Sequence, residues 1–203
     1  MPLLLESLGI RRTPAALLSF VEKVHLHVRE NRAAFEAGMA KRGRYKEFLD
    51  EVQPLCEFAL ATYPKNFMVQ PILGNQGYDA IVFDSKGQEY EKLEFARPYD
   101  GASVAKAASQ VVSNGHSVVD IRDYTDPLGS FIPYIRATAK AKSIKDYKGI
   151  TIVFILAAPP PIAGTEALFA VQVSEIAQII SENSFNATKV LLFVPPSQTI
   201  IIA

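Results

Sequence analysis

Cysteine is almost missing from this sequence. Cys56 stands alone, so no internal disulfide can form and the paired thiols of a zinc-finger framework do not exist. One thiol among apolar neighbours is read as a core residue rather than a nucleophile. Net charge is missing as well, since 21 Lys and Arg are matched by 21 Asp and Glu. A protein that grips nucleic acid through many phosphates usually carries a basic excess, so tight sequence-independent binding is disfavoured and only a local patch is compatible with the balance. No apolar run approaches the roughly 18 residues of a membrane span. Met1 to Glu6 lacks the basic start and long apolar centre of a signal peptide; a cytoplasmic protein without a membrane partner is expected. Glycines are not arranged to cradle phosphates. Gly74-Asn75-Gln76-Gly77 lacks a Gly-Lys-Ser/Thr ending and leads into a strand, and Gly-x-Gly-x-x-Gly does not occur, so no nucleotide cofactor is expected.

What is present is ordinary globular material. Hydrophobic residues make up 49% and charged residues 21% of 203 positions, enough for a substantial core in one domain with an appended helical part. Thr13-Pro14 is an N-cap followed by a first-turn proline, and Leu17, Val21, Val24 and Val28 recur at helical spacing; the pattern predicts a helix from 14 to about 37. Tyr45, Phe48, Leu49 and Val52 mark a second helix that Pro54 kinks or restarts. The helical segment is read as residues 1–64 and a mixed-sheet α/β part as residues 65–203.

Within the second part, 67–73 reads as a strand with Pro71 at an edge or bulge. A helix is predicted from Ala102 to Asn114, with Asp100 as its N-cap or a third metal ligand. His116 to Tyr124 is a short strand or an extended connection. A helix is expected over 131–147, and Ile150 to Ala157 is a continuous apolar run, hence a strand buried on both faces. Thr165 would cap a helix running to about Glu182, and Lys189 to Val194 is a last buried strand. Ending in strand, helix and strand implies a parallel pair.

The most informative stretch runs from Tyr78 to Pro98. Two segments rich in β-branched and aromatic residues flank Ser85-Lys86-Gly87-Gln88, which is a hairpin pattern. If Lys86-Gly87 is a two-residue loop, Asp84 faces Glu89, Phe83 faces Tyr90, Ile81 faces Lys92 and Asp79 faces Glu94. Side chains then alternate so that Asp79, Ile81 and Phe83 share a face with Tyr90, Lys92, Glu94 and Ala96. Opposed carboxylates on a sheet are destabilising unless a divalent cation or a shared proton offsets them. An acidic pair that simply faces solvent is the alternative.

Two other groups invite a functional reading. Lys41-Arg42-Gly43-Arg44-Tyr45-Lys46 is the densest basic run, either a phosphate-contacting patch formed by Lys41, Arg42, Arg44 and Lys46 or a solvated turn between helices. His25 and His27 are separated by about 200° on a helix and make a poor chelating pair.

An Asp at the start of one strand, a hairpin, a Glu-x-Lys tripeptide on the next strand and a following helix form the pattern of the PD-(D/E)xK nuclease superfamily. This chain resembles it through Tyr78-Asp79, Glu94-Phe95-Ala96 and the helix opening near Asp100-Gly101. Tyr78 stands where the family often has Pro, and Ala96 stands where the Lys belongs. The resemblance implies a restriction-endonuclease-like mixed sheet with flanking helices, Mg²⁺ held by Asp79 and Glu94, and DNA as the partner. Lys92, on the same strand face as Glu94, is the candidate to supply the missing catalytic ammonium. A nuclease-like domain without catalysis, binding protein or nucleic acid, is the alternative. Self-association as a homo-oligomer is compatible with the sequence and not specified by it.

Overall fold

The computed structural model describes residues 3–74, 76–98, 101–114, 129–156, 166–196 and 198–203. The chain divides into two compact units, Met1–Phe95 with Gly101–Val118, and Ala96–Asp100 with Val119–Ala203. The N-terminal helices therefore pack in the same unit as the first strands. Asn75, Asp100, His116 to Tyr124, Ala157 and Thr165, all singled out by the sequence, lie outside the described residues.

The first unit opens with α1 (Leu3–Glu6), α2 (Pro14–Glu30), α3 (Arg32–Met39), α4 (Arg44–Glu47) and α5 (Gln53–Thr62). Thr13 caps α2 by accepting the Ala16 N–H at 3.2 Å, and Leu17, Phe20, Val21 and Val24 are its buried stripe. The single helix expected to residue 37 is broken at Asn31. Its backbone is extended, with φ −127° and ψ 110°, and its side chain accepts the Ala34 N–H at 3.0 Å to start α3. The apolar period continues across the break, so periodicity alone does not show it. A competing cap does, because Asn offers the backbone a local alternative to helix.

Pro54 acts as the sequence implies, by a specific route. Proline has no N–H to give and its ring presses on the carbonyl four residues back. The helix widens over Phe48–Val52 into a π-turn, in which the Gln53 N–H bonds the Phe48 carbonyl, before α5 continues.

Strands β1 (Met68–Pro71), β2 (Ala80–Phe83) and β3 (Glu89–Ala96) form an antiparallel meander, and α6 (Gly101–Asn114) completes the unit. The outer edge of β1 is met by Arg12, which exchanges backbone hydrogen bonds with Val69 at 2.9 and 2.7 Å. One face of β2 and β3 carries Ala80, Val82, Leu93 and Phe95, all buried. On it Phe95 meets Phe58 of α5 edge to face at 6.1 Å, and Glu91 accepts the Tyr63 hydroxyl at 2.7 Å.

The second unit holds α7 (Ile132–Ser143), β4 (Asp146–Ile155), α8 (Glu166–Ser181), β5 (Asn186–Val194) and β6 (Gln198–Ile201). As expected, β4 and β5 are parallel and their centres, Ile150 to Ile155 and Val190 to Val194, are buried on both faces. The sequence places the helix end at 147; α7 stops at Ser143, and Tyr147 is already in β4. An unexpected antiparallel strand, β6, adds to β5 by pairing Ile201 with Leu191 and Ile200 with Leu192. Proline at 195 and 196 reads as a terminus, whereas here it makes the turn. The architecture is mixed α/β, and the second unit contains both parallel and antiparallel pairs.

Asn31→Ala is expected to lower stability by about 1 kcal/mol, and Asn31→Gly by only a few tenths. Urea midpoints of the two variants check this. Equal losses would mean that the side-chain cap contributes little.

Candidate functional site

The β2–β3 hairpin follows the expected register in its middle and leaves it at both ends. Ala80 pairs with Leu93, Ile81 with Lys92 and Val82 with Glu91, but Phe83 pairs with Glu89. Tyr90 is the extra residue of a β-bulge. The loop has three residues rather than two: Asp84 donates its N–H to the Gln88 carbonyl at 2.9 Å, and Gly87 takes φ 78°. The Asp84 carboxylate selects this loop by accepting the Lys86 and Gln88 amides at 2.8 and 2.9 Å, a local competition that alternation does not reveal. Asp84 therefore faces Gln88, not Glu89, and Phe83 faces Glu89, not Tyr90. Tyr90 leaves the face of Lys92 and joins Tyr63 and Phe67, with ring centroids 6.4 and 5.3 Å away.

At the other end, Asp79 precedes β2. Its N–H bonds the Leu93 carbonyl at 2.8 Å although Ala80 is the residue paired with Leu93. Its carbonyl accepts the Ile72 N–H at 2.8 Å, and its carboxylate takes the Phe95 N–H at 2.7 Å. The regular ladder, with Asp79 simply opposite Glu94, ends at Ala80. The Asp79 carboxylate is fixed against the backbone of β3 at the residue after Glu94, and Glu94 itself is half-buried.

A third acid comes from the helical region. Glu51 lies in the π-turn before Pro54, and its Oε2 is buried without a hydrogen-bond partner. Burial first, then the charge of Asp79, then Glu47 and Asp50, push its carboxyl up to about 7, with Lys46 opposing. The sequence reading passed over Glu51. A signal existed: Glu51 lies four and seven residues before Leu55 and Phe58, both fully buried, so it occupies the apolar stripe of the helix, where an acid is out of place. Among the described residues, no three His, Cys, Asp or Glu side chains gather tightly enough to hold a metal ion.

Lys92 alternates onto the face of Ile81 and Glu94. Its Nζ is 3.6 Å from Glu89 Oε1 and 5.0 Å from the centroid of the Tyr78 ring. Ala96, at the motif lysine position, is 2% exposed.

The basic run is largely engaged by its own acids. Lys41 takes the left-handed position that ends α3, with φ 47°, donating its N–H to Gly38 while Arg42 donates to Ala37. Its ammonium bonds Asp50 at 2.6 Å. Arg44 is 3.6 Å from Glu47. Arg42 and Lys46 are exposed. His25 packs edge to face on Phe48 at 5.4 Å, a packing role, and burial raises the Cys56 thiol to about 12, an inert core thiol. Among the described residues, no helix is long and apolar enough to cross a membrane.

No family model, curated protein or solved structure matches this chain.

Glu51 dictates a pH dependence. Its folded pKa, about 7, lies above its ordinary value of 4.5, so between these values the folded state binds more protons than the unfolded state. Stability from this group is full below about pH 4.5 and falls as pH rises towards 7. Discounted for the water-exposed half of the group, the loss is on the order of 1–2 kcal/mol. Glu51→Gln is expected to flatten that segment of the stability profile and to exceed wild type at pH 8. Parallel profiles would remove Glu51 from the crowded pair.

Proposed function

We propose that this chain is a metal-dependent phosphodiesterase of the PD-(D/E)xK nuclease-like kind, acting on DNA. The observation that carries the reading is the half-buried Glu51, one oxygen of which has no hydrogen-bond partner and whose carboxyl pKa is raised by burial first and then by the charge of Asp79. Like charges held together at reduced dielectric call for a proton or a cation. The donors are all carboxylate oxygens, which suit a hard divalent ion such as Mg²⁺. Asp79 and Glu94 would hold it, and the ion would offset the charge that Asp79 places on the Glu51 carboxyl without taking Glu51 as a third ligand. When bound, the ion would neutralise charge on the scissile phosphate and lower the pKa of a bound water.

The chain's own residues supply the rest. Asp79 is oriented by the Phe95 amide, so its position is set by the strand and not by the ligand. Lys92 offers an ammonium from the face of Glu94 to the charge that builds on the phosphate oxygens. Hydrolysis forms one P–O bond from water and breaks one to the leaving sugar oxygen, which takes up a proton as the attacking water gives one up. Ala96 is closed in, so a lysine there would have to bring its charge out through packing, whereas Lys92 presents its charge on the face of Glu94.

A specific observation favours a second reading, a nuclease-like domain that binds without cleaving. The motif lysine is replaced by Ala96, and both Lys41 and Arg44 are paired with acids of their own segment.

Asp79→Asn and Glu94→Gln are expected to slow Mg²⁺- or Mn²⁺-dependent DNA nicking by about a hundredfold or more. They should also abolish the rise in melting temperature that the ions give wild type. Folded wild type that cleaves no faster than Asp79→Asn and is not stabilised by either ion would establish the binding reading instead.

If the basic run meets phosphates, Arg42 and Lys46 carry most of the contact. Replacing both with Ala should flatten the salt dependence of DNA affinity by about two units of log–log slope. Replacing Lys41 and Arg44 should change it less, and an unchanged slope in the first variant would place the DNA elsewhere.

A further inference from the structure

We propose that Tyr78 and Glu89 are positioning residues for Lys92 and that the bulge at Tyr90 is the device that brings Glu89 to it; this rests on the phosphodiesterase reading. In a regular strand, residues three apart point to opposite faces, so Glu89 and Lys92 would be separated by the thickness of the sheet. The extra residue, Tyr90, shifts the pairing so that Glu89 lies opposite Phe83 while Lys92 lies opposite Ile81. Glu89 is thereby returned to the face of Lys92, and the two approach to 3.6 Å. Bulges of this kind occur beside active sites, where they re-aim a side chain.

From the other side the Tyr78 ring approaches the same ammonium, 5.0 Å from its centroid, within the range where the π face attracts a cation. A four-carbon stem leaves a lysine many rotamers. Two partners on different sides select among them without removing the charge. The selected ones keep the ammonium over the face that carries Glu94. Tyr78 stands where the resembled family often has proline. The ring thus supplies, by side-chain contact, a restraint on the cation that a motif lysine next to Glu94 would not need.

The test uses the full chain with ¹³C-labelled lysine and a nicked-plasmid assay in Mg²⁺. In wild type the Lys92 Cε resonance should be displaced by the ring current of Tyr78, should keep that displacement in Tyr78→Phe, and should return to the free-lysine position in Tyr78→Leu. Cleavage should follow the same order, with kcat lowered about two- to fivefold in Tyr78→Leu and in Glu89→Gln. KM for DNA should stay constant, and Tyr78→Phe should remain near wild type. Glu89→Gln, at an exposed position, covers the case in which Tyr78→Leu fails to fold. A Lys92 resonance at the free position in wild type overturns the positioning whether or not the protein cleaves. A displaced resonance with unchanged kcat in both variants overturns its catalytic use and leaves the phosphodiesterase reading standing. A displaced resonance in a protein that cleaves nothing overturns that reading and, with it, the role assigned to Lys92.

Discussion

The hydrogen bond from the Phe95 amide to the Asp79 carboxylate, at 2.7 Å, ties the candidate site to the fold. A strand amide in this position normally meets a backbone carbonyl; here a side chain accepts it, and the carbonyl of the same residue serves Ile72, the residue just after β1. Asp79 therefore ties the end of β1 and the start of β2 to β3. Anything that moves its carboxylate also disturbs the amide after Glu94. The buried face beneath, with Phe95 on Phe58 and Leu93 among Ala80 and Val82, keeps this junction from slipping, because a one-residue shift would turn those side chains out to water.

Against that fixed point the helical region presents a crowded acidic segment. Glu47, Asp50 and Glu51 fall within five residues, and two of them are answered locally, Asp50 by Lys41 and Glu47 by Arg44. Glu47 and Glu51 each keep a buried oxygen without a hydrogen bond, but Glu47 has Arg44 at 3.6 Å, whereas burial and then the charge of Asp79 raise the carboxyl pKa of Glu51. A surface ion pair changes stability by little. A half-buried carboxyl in the field of other carboxylates is a larger imbalance, and the buried Leu55 and Phe58 hold its helix in place all the same.

The second unit contrasts with the first in how its polar groups are spent. Its parallel strands β4 and β5 carry runs of consecutive buried apolar residues, and the ion pair between Arg136 and Glu182 at 3.3 Å is exposed. Its described strand centres are core, and its aromatic contacts, Phe154 with Phe185 and Lys142 over Tyr147, lie beside them.

Local pattern in the sequence was sufficient for the hairpin centre, where alternation pairs Ile81 with Lys92, for the kink at Pro54, for the buried parallel strands and for the cap at Thr13. Each of these depends on residues close in the chain or on a period that any fold must respect. The rest lay beyond alternation and period, first in a local capture of amides and otherwise in the tertiary structure. Asp84 chose a three-residue loop by capturing two amides, which forced Tyr90 out and changed the partners of Phe83 and Asp84. β6 formed because β5 offered an unpaired edge, which no window of sequence around Gln198 to Ile201 displays. Glu51 comes under the charge of Asp79, 28 positions away, because the fold brings its helical region to the strands, where Phe58 meets Phe95. A carboxylate on a helix stripe can be noticed in a sequence, but the charge it will face depends on which strand end the helix covers, and that is settled by packing.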